Sequence, residues 1–365
     1  MNEARRDDHQ ADHWNVLDGI RGILALAVMF YHYGVNVVFA RLTRGFVNDA
    51  PLFLAVDFFF ILSGCVLARS YLRRPRPMGR RFLERAFRLL PLHFLIMLAL
   101  VPLYFLGQDR EWFAPLRDQG AAALLADLAS VTVLTQHYLW NSASWTIGVE
   151  LYVPVLLAGV LPWAKDWRPG VLLLLGSGAL VWQAWCIWQL AILVPVSGLE
   201  RGVCGLSLGG IIYLLLYRRI IVVPHTRHVL PVLVVAIGIL MVLGRNFPAM
   251  SLLLAPLFAA TVALGTNTAG VLGRGVFAWL GRISFSLYLV HLPVKVWTYY
   301  LLGVDALDGR LDVKVLQIAG VLVLATLLAR YVELPGIRAG KSVGRWLESR
   351  TGRRDDVRRP TSPSS

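Results

Sequence analysis

Apolar stretches long enough to cross hydrocarbon recur from one end of the chain to the other, with short polar or Arg-rich breaks between them. They predict spanning helices at about 17–38, 51–69, 89–106, 145–162, 170–190, 203–217, 229–245, 250–266, 279–302 and 314–333. Residues 122–140 fit less well, because Asp127, Gln136 and His137 interrupt a moderately apolar run. A crossing there would invert every later charge assignment, so this stretch is read as re-entrant or lying at the outer interface. The expected fold is all-α and polytopic, with ten transmembrane helices, both termini cytoplasmic, and neither a repeat nor a soluble domain. Residues 1–336 form the membrane domain, and 337–365 read as a basic, disordered cytoplasmic tail.

Composition agrees. With 57% hydrophobic and 16% charged residues, the chain carries too little charge to cover a soluble surface. A net charge of +14 would suggest nucleic acid in a soluble domain. Here the charge lies in loops, so orientation and anionic headgroups explain it, and no nucleic-acid partner is expected. Arg69, Arg73, Arg74, Arg76, Arg80, Arg81, Arg85 and Arg88 cluster between two apolar runs and fix residues 70–88 inside. Lys165 and Arg168, the 218–228 loop with Arg218, Arg219 and Arg227, and the basic tail agree with that orientation. The loop at 107–121, with Asp109, Glu111 and Asp118, and the loop holding Asp305, Asp308 and Asp312 suit the outside. The chain start carries Asp7, Asp8 and Asp12 and no small-residue cleavage site, so the first span serves as an uncleaved signal into the inner (plasma) membrane. Cys65, Cys186 and Cys204 lack motif spacing and form neither a metal site nor a disulfide framework.

Ionisable residues inside hydrocarbon are costly and therefore functional candidates. They are Asp18, Arg21 and His32 in the first span, Asp57 in the second, Glu150 in the fourth, His291 in the ninth, and Arg330 and Glu333 in the tenth. Each also has a structural reading: snorkelling or ion pairing for those near the inner face, an interhelical hydrogen bond for His32. Arg21 and His32 are eleven residues apart, roughly 16 Å along a helix and close to three turns, so they share a face. Arg81, Arg85 and Arg88 share a face of the next helical stretch, a ready site for a phosphorylated ligand. Asp57 and Glu150 are expected in the outer half beside His32, which makes a two-sided site: a phosphorylated donor from the cytoplasm, an acceptor from outside. Neutral His32 is then the general base, with a carboxylate to orient it.

Six segments in order resemble the motifs of the bacterial acyltransferase family 3 membrane proteins, which O-acylate surface glycans and secondary metabolites. Leu17-Asp18-Gly19-Ile20-Arg21-Gly22 followed by His32 resembles LDGxRG and its histidine. Phe58-Phe59-Phe60-Ile61-Leu62-Ser63-Gly64 resembles FFxLSGF, and Arg81-Phe82-Leu83-Glu84-Arg85 through Pro91 resembles RRxxRIxP. Ser144-Trp145-Thr146-Ile147-Gly148-Val149-Glu150 resembles SWSLSVE. Ser284-Phe285-Ser286-Leu287-Tyr288-Leu289-Val290-His291-Leu292-Pro293 resembles the YSLYLxHxP helix, and Glu333-Leu334-Pro335 the closing ExP. The chain departs from the family at Leu151, where a second Glu is common, and at Leu334, where Arg or Lys is common. The soluble hydrolase-like domain of some members is missing.

The resemblance implies an acyl-CoA donor, with acetyl as the acyl group usual in the family, and a carbohydrate or lipid-linked glycan as acceptor. Arg85 and Arg88, with Arg21 and Arg81, would hold the donor's phosphates, and its arm would thread toward His32. Glu150 is the first choice to orient His32 and Asp57 the second; His291 is the alternative base. Trp145 and Tyr288 line the acceptor entrance, donate to the oxyanion, or anchor at the interface. Glu333 pairs with Arg85 or Arg88. Ser63 and Ser144 have no base spaced to activate them, so no acyl-enzyme is expected. A multi-pass transporter and a non-catalytic glycan export partner stand as alternatives, separated from the enzyme by whether CoA is released.

Overall fold

A computed structural model describes residues 14–35, 52–73, 77–106, 122–132, 140–160, 174, 176–178, 181, 198–222, 228–243, 250–268, 270–303 and 310–350. Among them there is no strand. The helices are α1 (Asn15–His32), α2 (Ala55–Arg73, entered through a 3-10 turn at Leu52–Leu54), α3 (Met78–Leu106), α4 (Trp145–Val160), α5 (Gly198–Tyr217), α6 (Val229–Leu243), α7 (Met250–Gly265), α8 (Gly275–Leu302), α9 (Leu311–Leu328) and α10 (Leu334–Arg350). Among the described residues, five helical stretches are long and apolar enough to cross a membrane: Leu52–Tyr71, Met78–Leu103, Gly198–Tyr217, Gly275–Leu302 and Leu311–Arg350. Two more, Val229–Val242 and Leu254–Gly265, are apolar but shorter. Leu98, Phe105, Leu174, Leu316 and other large apolar side chains lie exposed on this surface, as a lipid-facing protein requires.

Among the described residues the core has two apolar clusters. One gathers α1, α2, α5, α6 and α7 around Phe58, Phe60 and Phe258; the other gathers α1, α3, α8 and α9 around Met29, Leu92 and Leu287. Helix α1 belongs to both. Its packing depends on glycine: a methyl group on Gly19 would overlap the Leu272 carbonyl, one on Gly22 would strike Leu280, and one on Gly281 of α8 would strike the Asp18 carbonyl. The same device closes α2 on α5, where Gly64 meets Leu206 and Gly205 and Gly209 meet Phe60 and Ile61. Without a hydrophobic drive between helices in lipid, close backbone approach supplies the van der Waals contact.

Several expected boundaries change. The arginines from Arg80 to Arg88, expected on one helix face ahead of a span at 89–106, form the first turns of that same helix α3, which continues through Pro91 and Pro102. The stretch from 337 to 350 is not a disordered tail. It continues in α10, where Gly336, Gly340 and Gly344 let it lie against Phe87, Glu84 and Arg80 of α3. Arg80 Nε pairs with Glu84 at 2.8 Å, and its Nη1 pairs with Glu348 of α10. Composition missed this because the basic residues of α10 hide a four-residue glycine spacing. Between α9 and α10 the helix widens into a π turn at Ala329–Glu333. Pro335 follows and has no N–H for the carbonyl four residues earlier, so a wide turn relieves the backbone there.

Residues 122–128 form a short helix that ends in a turn, and Asp127 is fully buried. Gln136, His137, the 107–121 loop, Asp305, Asp308, Lys165, Arg168, Arg227, Arg74, Arg76, Cys186, the first thirteen residues, nearly all of the span expected at 170–190 and the tail beyond 350 lie outside the described residues.

Candidate functional site

Two adjoining cavities meet at the start of α3. The larger, about 530 Å³, is walled by α1, α2, α3, α4, α8 and α10. Five cations, Arg21, Arg69, Arg85, Arg88 and Lys341, line it against two carboxylates, Asp18 and Glu150. Both carboxylates are already paired: Arg21 Nη1 lies 3.2 Å from Asp18 Oδ1, and Arg85 Nη2 lies 3.1 Å from Glu150 Oε2. The wall keeps an excess of three positive charges. The smaller cavity, about 400 Å³, shares Arg85, Arg88 and Lys341 with the first and adds Arg81. Arg81 is braced by Ser70, donating to its Oγ at 2.9 Å and to its carbonyl at 3.2 Å. Arg88 makes no hydrogen bond to a described residue, and its Nε is buried and unpaired. All four arginines expected to bind a donor therefore line these cavities, and Arg85 and Arg88 line both. A cluster of guanidinium groups around an enclosed space is chemically suited to phosphate.

From this chamber an aromatic path leads to the histidines. Phe59 and Tyr288 form part of the cavity wall and pack at 6.1 Å between ring centres. The Tyr288 ring lies 5.8 Å from that of His291, which lies 5.2 Å from that of His32. His291 Nδ1 is 2.6 Å from the Tyr288 carbonyl. A carbonyl can only accept, so Nδ1 carries a proton, which in the neutral ring leaves the lone pair on Nε2. That Nε2 is buried with no partner. The end of α1 is held by two ammonium groups, Lys295 Nζ on the His32 carbonyl at 2.6 Å and Lys314 Nζ on the Tyr33 carbonyl at 2.6 Å. Cations at a helix C-terminus complement its dipole and its free carbonyls.

Neither expected carboxylate stands beside His32 as its orienting partner. Glu150 turns to the arginine chamber, where Ser63 Oγ also donates to it at 3.3 Å. Asp57 is bound by Arg201 Nε at 2.8 Å, and the Arg201 guanidinium lies over the Trp145 ring at 5.3 Å. The polar residue that does meet His32 is His291. Helix α4 starts at Trp145, where its span was expected, but it seats so that Glu150 falls level with Arg85 of α3. Trp145 packs against Phe60 at 5.5 Å as well as against Arg201, while Tyr288 does line the chamber. Glu333 accepts from Ser286 Oγ at 2.9 Å; Arg88 and Arg21 act on it electrostatically, and Arg85 is taken by Glu150.

Two serines also differ from expectation. Ser144 Oγ lies 2.5 Å from Asp127 Oδ1, and Ser63 is bonded to Glu150, so each does have a carboxylate. Ser144 is 1% exposed and locked into the 141–144 turn, and the Glu150 that meets Ser63 is spent on Arg85. Neither arrangement frees a nucleophile. Arg201, Lys295, His93 and Asn141 were not singled out by sequence. Lys295 and His93 fall inside expected spans, where the cost of a polar side chain in hydrocarbon marks them; Arg201 lies just before the span drawn from 203. Among the described residues no group of three or more potential ligands is placed to hold a metal.

A family model described as an acyltransferase domain matches residues 14–332. No curated protein and no solved structure matches the chain significantly.

Proposed function

Since the chain belongs to this acyltransferase family, we propose that it is a multi-pass inner-membrane O-acyltransferase that moves an acyl group, acetyl in the first instance, from cytoplasmic acyl-CoA to a hydroxyl of a surface glycan or related acceptor. Ten spans with both termini inside belong to the same proposal. The observation that carries it is the cationic double chamber whose Tyr288 wall abuts the His291–His32 pair.

Arg81, Arg85 and Arg88 take the donor's phosphates, with Arg21 at the mouth of the path inward. Arg88 is the best placed, because no internal carboxylate or hydroxyl is hydrogen-bonded to it, Glu333 acting on it only electrostatically. The thioester arm passes Phe59 and Tyr288 toward the histidines. His32 is the base: it is only partly buried, whereas His291 is wholly enclosed. The acceptor oxygen attacks the thioester carbonyl carbon as His32 takes its proton. The C–S bond then breaks, the CoA thiolate leaves, and the histidine proton returns to solvent or to the thiolate. The ester forms directly, with no acyl-enzyme. His291, its tautomer set by Tyr288, supports His32 from behind.

The test is thiol release from acetyl-CoA by the purified protein in lipid nanodiscs. Slow release by the wild type that vanishes in folded His32→Ala supports the proposal. Absence of both release and CoA binding removes the donor and leaves a transporter as the better reading.

A further inference from the structure

In α8 the carbonyl of Leu289 would, in an unbroken helix, accept the N–H of the residue four places on. That residue is Pro293, which lies inside the helix and has no N–H. The carbonyl is paired all the same: Asn141 Nδ2, from a segment 148 residues away in sequence, donates to it at 2.9 Å. The contact is buried, where an unmet carbonyl is costly. His291 sits between Leu289 and Pro293, and its own carbonyl accepts the Tyr33 hydroxyl at 2.7 Å.

Asn141 is itself fixed. Its Oδ1 accepts the Ala143 N–H at 3.1 Å, and its own N–H donates to Asp127 Oδ2 at 3.3 Å. Its carbonyl lies 2.7 Å from Ser144 Oγ, which also reaches Asp127 Oδ1 at 2.5 Å. The Asp127 carbonyl accepts His93 Nε2 of α3 at 2.8 Å. Asp127, Asn141 and Ser144 are all at most 1% exposed. A buried block tied together by this many hydrogen bonds is rigid, so the carboxamide meets α8 from a defined position.

We propose that Asn141 is a positioning residue for His291: its carboxamide replaces the N–H that Pro293 lacks and sets the course of α8 at the histidine. Its kinetic consequence rests on the acyltransferase reading above; the contact itself is measurable without turnover.

The experiment compares Asn141→Leu with the double variant Asn141→Leu/Pro293→Ala, in which alanine restores the N–H that Leu289 needs. In wild-type background, Asn141→Leu lowers kcat for thiol release by about tenfold or more, with KM for acetyl-CoA unchanged. The double variant regains most of that loss. In thermal unfolding the two substitutions are non-additive, and the double variant melts above Asn141→Leu. A folded double variant no faster than Asn141→Leu overturns the proposal, as do strictly additive melting losses. If the wild type releases no thiol, the unfolding cycle decides alone, non-additivity upholding the contact and additivity overturning it; the acyltransferase reading itself falls only if CoA binding is absent as well. Should Asn141→Leu not fold, Asn141→Asp keeps the shape and the acceptor oxygen, removes the donor, and enters the same cycle.

Discussion

The imidazoles of His32 and His291 stand 5.2 Å apart between ring centres although α1 and α8 carry them separately. The approach follows from the glycine contacts that press these two helices together. If His32 is the base, His32→Ala lowers kcat by roughly 10²–10⁴-fold while KM for the donor holds, because the arginine chamber is untouched. His291→Ala has the smaller effect. Steady-state thiol release checks both, and the reverse order would make His291 the base.

Arg85 and Arg88 are neighbours on the same wall with different ties. Arg88 makes no hydrogen bond to a described residue and meets Glu333 only electrostatically, so Arg88→Gln weakens CoA binding by about tenfold or more and costs less stability than Arg85→Gln. Arg85→Gln strands Glu150 and loses both binding and stability. Calorimetric CoA titration beside thermal unfolding separates the two. Equal stability losses would mean that Arg88 has a structural partner after all.

The Asp57–Arg201 pair is a structural prediction. The two side chains are 15% and 7% exposed and 2.8 Å apart. Removing either alone leaves an uncompensated buried charge and costs about 3–5 kcal/mol. Asp57→Asn should therefore lower the unfolding midpoint sharply, and Asp57→Leu/Arg201→Met should recover much of it. A midpoint unmoved by Asp57→Asn would show that water already reaches the pair.

Helix α10 carries its own test. Gly340→Val puts a branched side chain against Phe87 and Glu84 and pushes α10 off α3. Lys341 then leaves the wall shared by the two chambers. Donor KM rises several-fold, and cross-linking between cysteines introduced at Arg80 and Gly344 is lost.

How far sequence reached can be seen in these residues. The apolar runs located the helices because burial in lipid leaves a long, uniform signal, and the candidate arginines do converge because Arg81, Arg85 and Arg88 lie within two turns of α3. Partner choice was not legible. Whether Glu150 meets His32 or Arg85 depends on how α4 seats against α1 and α3, and the residues of α4 do not reveal that. The Asn141–Leu289 contact was equally hidden: the sequence shows a proline in a helix, but not which distant amide completes it. The order in α10 was missed because its glycine spacing acts only through the face of α3 it meets.

The decisive measurement is thiol release from acetyl-CoA supplied to one face only of sealed proteoliposomes, with orientation read from a cysteine label at the exposed turn of Arg218. Release only when donor and the Arg218 turn share a face, lost in His32→Ala and weakened in Arg88→Gln, is the expected result. Release confined to the opposite face, or none from either face in a protein that also fails to bind CoA, would contradict a donor site built from the α3 arginines.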